Sequence, residues 1–138
     1  MNDEPCLCGA LRKATRAVTR LYDDALRTVD LRIMQFAVLR NLARLGAQRM
    51  RDLAELMVLE ETTLTRSVAI LDERGLVAVK PGADRRERVV SITAAGRATL
   101  AAALPLWETA QARMRDGLAE DWSAFVAQLI GVTESAAP

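Results

Sequence analysis

No histidine occurs anywhere in the 138 residues. That absence removes the commonest general base and the commonest nitrogen ligand for metals. Cysteine is nearly as scarce, with only Cys6 and Cys8. Two thiols cannot complete a tetrahedral metal site within one chain, although two chains could supply four. No Gly-rich phosphate loop or nucleophile elbow is present. Catalysis has little to work with, so the chain reads as a non-enzyme with no catalytic residue, no cofactor and no metal. No apolar run reaches membrane-spanning length, and no signal-type apolar segment follows the N-terminus. A cytoplasmic protein without membrane contact is expected. Repeats and low-complexity stretches are missing too. Finally, neither sign of charge dominates: the formal net charge is +1, which is no footprint of a strongly basic chain.

What is there concentrates between Met50 and Arg97. Met50, Leu53, Ala54 and Met57 recur at i, i+3, i+4 and i+7, one buried face of a short helix. A second helix starts among Glu60, Glu61, Thr62 and Thr63, residues that suit a helix N-terminus and its dipole. Leu64, Val68 and Leu71 form its narrow core-facing stripe. Thr62, Thr63, Thr65, Arg66 and Ala69 fall on the other side, short enough to approach base edges. Gly75 stands where a helix end needs a left-handed residue. Leu76–Val79 and Val89–Ile92 are β-branched and of strand length. Between them Pro81 and Gly82 supply a turn, followed by Arg85, Arg86 and Arg88. Helix, turn, helix, strand, basic loop, strand is the order of a winged helix-turn-helix, which places one helix in a DNA major groove. The expected fold class is mainly α with a small β component.

The flanks carry helical stripes. Leu7, Leu11, Ala14, Val18, Leu21, Ala25 and Leu26 line one helix, and Ile33, Phe36, Ala37, Leu39, Leu42 and Leu45 are expected to face mostly inward on the next, over Arg32–Leu45. Leu100, Leu104, Trp107, Met114 and Leu118, then Trp122, Phe125, Val126, Leu129 and Ile130, continue the pattern after the wing. Pro105 should kink that arm, and Gly117 should mark a break. Trp107, Trp122 and Phe125 have little sequence left to cover them, so a partner chain is expected to do so. At 138 residues the chain is one domain-sized unit. It divides into dimerisation helices at 6–30 and 100–135 and a winged module at 31–97. Charge is uneven along it. Met1–Ala47 holds eight Lys/Arg against five Asp/Glu, Gln48–Arg88 eight against eight, and Val89–Pro138 three against five. The module is neutral by count, with its positive charge at the wing tip.

LAELM at 53–57, TLTRSVAILDERGLV at 63–77, the Asp84-Arg85-Arg86 run and SITAAGR at 91–97 resemble, in order and spacing, the multiple-antibiotic-resistance regulator (MarR) family of bacterial transcription factors. The resemblance implies a homodimer, triangular in outline, with interlocking N- and C-terminal helices. It implies recognition helices in successive major grooves and wing arginines in the flanking minor grooves. Asp84-x-Arg86 matches the family's wing motif, with Arg86 reaching DNA and Asp84 orienting the wing. The implied function is a repressor that releases double-stranded DNA when a small aromatic effector binds between arms and module. Met34, Phe36, Val38 and Trp107 are candidates for such a pocket, and all four also read as plain core. Many family members carry a basic residue where this chain has Glu61. That carboxylate is expected to repel phosphates and limit affinity, although it could also accept from cytosine N4.

Two alternatives stay open. Leu7-Cys8-Gly9-Ala10-Leu11 is similar to the reactive-cysteine segment of the family's organic-hydroperoxide repressors, which makes Cys8, with Cys6, a redox candidate. A helix N-terminus with Arg12 and Lys13 nearby favours a thiolate. The tyrosines that hold the thiolate in those repressors correspond to Ile33 and Phe36, which offer no hydrogen bond. Burial against Leu11 and a partner's arm should keep Cys8 neutral, so it is expected not to be a peroxide sensor. The other alternative is a winged-helix dimer that has lost DNA binding and serves as a protein-interaction module.

Overall fold

The computed structural model describes residues 2–118 and 120–138. Helix α1 runs Leu7–Ala25, a short 3-10 turn follows at Arg27–Val29, and α2 runs Ile33–Leu45. Strand β1 is Gln48–Arg49, α3 is Met50–Leu56 and α4 is Glu61–Glu73. Strands β2 (Val77–Pro81) and β3 (Arg88–Ile92) flank the wing tip, and α5 (Ala94–Leu118) and α6 (Trp122–Ala136) complete the chain. This is a winged helix-turn-helix between N- and C-terminal helices, mostly helical with one small antiparallel sheet.

The sheet order is β1-β3-β2, with Val79 opposite Val90 and Gln48 opposite Val90 on the other side. Strand β1 was not expected. It is two polar residues long, below any periodicity, and exists only because β3 pairs with it. Pro81, expected in the turn, instead ends β2, opposite Arg88. A proline fits there because β2 is an edge strand and needs no outward N–H.

The core joins the elements that set the recognition surface. Leu39 and Leu42 of α2, Leu53 of α3, Leu64, Val68 and Leu71 of α4, and Val90 of β3 are sealed from solvent. Each buried leucine contributes about 2 kcal/mol by removing apolar surface from water. The α4 stripe read from the sequence therefore anchors the helix, and its opposite face stays exposed at Thr62, Thr63, Arg66 and Ala69. At the C-terminal end of α4 the chain turns through Gly75 at φ +73°. Leu76 N–H donates to the Leu71 carbonyl at 2.9 Å and Gly75 N–H to Asp72 at 2.9 Å. That pair of bonds satisfies the carbonyls a helix end leaves open.

Other local details differ from expectation. Glu60 is the N-cap of α4 and makes no side-chain capping bond, so the acidic and hydroxyl residues do not cap it. Helix α5 contains Pro105 and runs past Gly117 to Leu118. Asp23 accepts the Ile33 N–H at 2.7 Å and so caps α2 from α1. Trp107 is covered within the chain. It stacks on Phe36 of α2 with ring centroids 5.8 Å apart, and the Arg40 guanidinium lies 4.5 Å from its ring centre. Tyr22 donates to Gln111, tying α1 to α5. Burial pushes the Tyr22 phenol above its usual range, partly offset by Arg115.

Candidate nucleic-acid interface

One exposed surface is built from α4, the wing and the start of α3. Thr62, Thr63 and Arg66 are exposed on α4, and Thr65 is half-buried. Thr65 donates its hydroxyl to the Glu61 carbonyl at 2.8 Å, a back-bond along the helix. The wing tip is shaped by Asp84. Its carboxylate accepts the Arg86 backbone N–H at 3.0 Å, and its carbonyl accepts the Glu87 N–H at 2.9 Å. Gly82 N–H donates to the Glu87 carbonyl at 2.8 Å and closes the loop. A Cβ at Gly82 would press on the Glu87 side chain at 3.0 Å. The loop thus presents Arg85 and Arg86 outward, both exposed.

Charge at this surface is sorted rather than abundant. Arg49 takes up two carboxylates, Asp52 at 2.6 Å and Glu87 at 3.1 Å. The Arg49 hydrogen bond holds the Asp52 carboxyl below its ordinary range. Arg88 pairs with Glu61 at 3.3 Å. Among the described residues, the guanidinium groups of Arg66, Arg85 and Arg86 have no carboxylate or hydrogen-bond partner. A module neutral by count therefore still turns free guanidinium groups outward, while Asp52 and Glu87 are held by Arg49 and Glu61 by Arg88. Free guanidinium groups on an exposed loop and helix suit phosphate and groove contacts. A hollow of about 300 Å³ lies between these parts, lined by Arg49, Arg51, Glu61, Asp84, Arg86, Glu87 and Arg88.

The Glu61–Arg88 pair was not foreseen. The residues stand 27 positions apart, and no sequence signal joins them. It alters the expectation for Glu61, whose carboxylate is matched by a cation instead of standing bare toward phosphates.

The other candidates are dispersed. Phe36 is buried and Val38 is fully sealed in the core, while Met34 and Trp107 are half-buried. Phe36 and Trp107 line a hollow of about 220 Å³ together with Ile33, Ala37, Arg40, Asn41 and Arg44. Met34 and Val38 do not line it. Cys6 and Cys8 are both exposed at the start of α1 in the single chain. Cys6 is the N-cap in extended conformation, without a capping bond. Cys8 and Leu11 border an apolar groove of about 570 Å³ whose far wall is Val132 and Ala136 of α6. Phe36 points into the Trp107 stack. Among the described residues no cluster of three metal-binding side chains exists, and no helix is long and apolar enough to cross a membrane.

Comparison with known proteins agrees with this geometry. A model of the MarR family matches residues 31–87, the segment from α2 to the wing. Transcriptional regulator HosA of Escherichia coli is 32% identical over 102 residues, covering 73% of this chain and 76% of HosA. The crystal structure of the Mycobacterium tuberculosis transcriptional regulator MosR in complex with DNA is similar over 96% of both chains, with 35% identity and a TM-score of 0.88. Bordetella bronchiseptica BpsR, whose DNA binding is regulated by 6-hydroxynicotinic acid, shares the fold at 24% identity and a TM-score of 0.84, over 100% of this chain and 99% of BpsR. With its fold, its wing and its relatives in agreement, this chain belongs to the MarR family of DNA-binding transcriptional regulators.

Proposed function

We propose that the protein is a homodimeric repressor that grips duplex DNA with α4 in the major groove and the wing beside it. The observation that carries this is the sorting of charge, with Arg66, Arg85 and Arg86 free while Asp52, Glu61 and Glu87 are paired. In this reading Thr62, Thr63, Thr65 and Arg66 face base edges. Arg85 and Arg86 reach backbone or minor groove, and Asp84 holds the wing in shape. The dimer is supported by α6, which has no buried residue in the single chain. Trp122 and Phe125 lie against each other there, with centroids 6.1 Å apart. Two recognition helices on one face imply half-sites about 10 bp apart. Gel shifts on the protein's own upstream DNA, with light scattering and a promoter–reporter fusion, test the reading. A dimer, a salt-sensitive specific shift and repression are expected. A monomer at micromolar concentration, or equal affinity for random DNA, contradicts it, and a dimer without any shift favours the interaction-module alternative.

The effector part of the proposal rests on the hollow beside Phe36 and Trp107. Arg40 and Arg44 could meet a carboxylate while the rings meet an aromatic face. Small aromatic acids, hydroxynicotinates first, are the probes. Release of operator by one of them, abolished in Arg40→Ala, is the expected result.

A second reading starts from the exposure of both thiols in the single chain. A hydroperoxide would oxidise the Cys8 thiol to a sulfenic acid, releasing the alcohol. The Cys6 thiol would then displace water to form a disulfide. Closing it would disturb the first turn of α1, at the dimer arms. Cumene hydroperoxide should then remove two hydrogens per chain by mass and release operator, and Cys6→Ser should block the disulfide. Unchanged DNA binding after stoichiometric oxidant rejects this reading.

A further inference from the structure

Glu61 opens the recognition helix, and the wing strand reaches across to hold it. The Arg88 Nη2 donates to Glu61 Oε1 at 3.3 Å and to Thr65 Oγ1 at 3.3 Å. One guanidinium therefore spans the first turn of α4 from the side of β3. Glu61 and Arg88 keep about half of their side-chain surface exposed, at 48% and 43%. Such a half-exposed pair contributes little to stability, so folding alone gives little reason for it. Its position gives a better one, because the N-terminal residues of a recognition helix are those that meet base edges.

We propose that Glu61 is a specificity-determining residue that accepts a hydrogen bond from cytosine N4, and that Arg88 is its positioning residue. The inference rests on α4 docking in the major groove. A carboxylate offers about four acceptor sites. Arg88 occupies one oxygen, and Oε2 has no partner among the described residues. Guanine presents N7 and O6 and thymine presents O4, all acceptors that repel a carboxylate. Adenine presents the N6 donor but sets the N7 acceptor beside it. Cytosine offers its N4 donor without that neighbour, so it suits Glu61 best. A bare carboxylate would meet the phosphates at a penalty. Arg88 cancels that charge, and the positive end of α4 favours the anion further. Arg88 also fixes one oxygen, which leaves the other in a defined place. Its remaining N–H groups stay available to a phosphate.

The test is selection from a random duplex library by the full-length protein, followed by sequencing, for wild type, Glu61→Gln and Arg88→Gln. Wild type should require cytosine at one position of each half-site. Glu61→Gln should move that position toward adenine, which glutamine reads through N6 and N7, by about tenfold. Every other position should keep its preference. Arg88→Gln should flatten the cytosine preference without creating one for adenine, and Arg88→Lys should restore part of it. If Glu61→Gln changes overall affinity and leaves every base preference intact, the inference falls while DNA recognition stands. If Glu61→Gln shifts the position and Arg88→Gln does not, the positioning role of Arg88 falls. If wild type selects no sequence, major-groove recognition falls and takes the inference with it.

Discussion

A Cβ placed on Gly96 would lie 2.0 Å from the backbone carbonyl oxygen of Leu76. The start of α5 and the chain entering β2 are therefore in backbone contact. Thr93 completes the joint. Its hydroxyl accepts the Gly96 N–H at 3.0 Å and donates to the Gly75 carbonyl at 2.6 Å, and its own N–H donates to Leu76 at 3.1 Å. One small motif thus ties the end of the recognition helix, the wing sheet and the C-terminal arm.

Gly96→Ala is expected to destabilise the protein by about 2–3 kcal/mol, since the opposing atom is backbone and cannot rotate away. Urea unfolding measures it. A destabilisation below about 0.5 kcal/mol would mean that the joint yields.

Val58, between α3 and α4, adopts φ +56° and is 72% exposed. A β-branched residue in the left-handed region is strained, at a cost of about 1–3 kcal/mol. Leu59 N–H donating to Ala54 at 2.9 Å holds the turn in place. Val58→Gly should relieve the strain and give a net gain of about 1 kcal/mol after the entropy cost of glycine. Thermal unfolding should rise by about 4 °C. A lower midpoint would show that the Val58 side chain stabilises the turn.

Arg66→Ala should relax base preference at one position of each half-site, costing about 1–3 kcal/mol there if Arg66 meets a guanine. Competition between specific and random duplexes reads this. Equal weakening on both would make Arg66 a phosphate contact.

These predictions divide along the line of what a sequence makes visible. Recognition helix α4 was legible because Leu64, Val68 and Leu71 recur at helical spacing before a left-handed glycine. The wing was legible because two β-branched runs flank Pro81, Gly82 and three arginines. Strand β1 was not, since two polar residues carry no period and take their structure from β3. Cover over Trp107 depends on how α2 crosses α5, which no local pattern encodes. The pairing of Glu61 with Arg88, and the freedom of Arg85 and Arg86, depend on the approach of side chains tens of residues apart. Counting charges along the chain gives neutrality, whereas only the fold tells which charges are already taken.

The salt dependence of operator binding, compared between wild type and Arg86→Ala, tests most directly whether free wing arginines grip DNA. Fluorescence anisotropy from about 50 to 200 mM salt supplies the slope of log affinity against log salt. Arg86→Ala should weaken binding on every sequence and flatten that slope by about 1 for each phosphate that a protomer no longer neutralises. An unchanged affinity and an unchanged slope would contradict the assignment of the wing to the DNA interface.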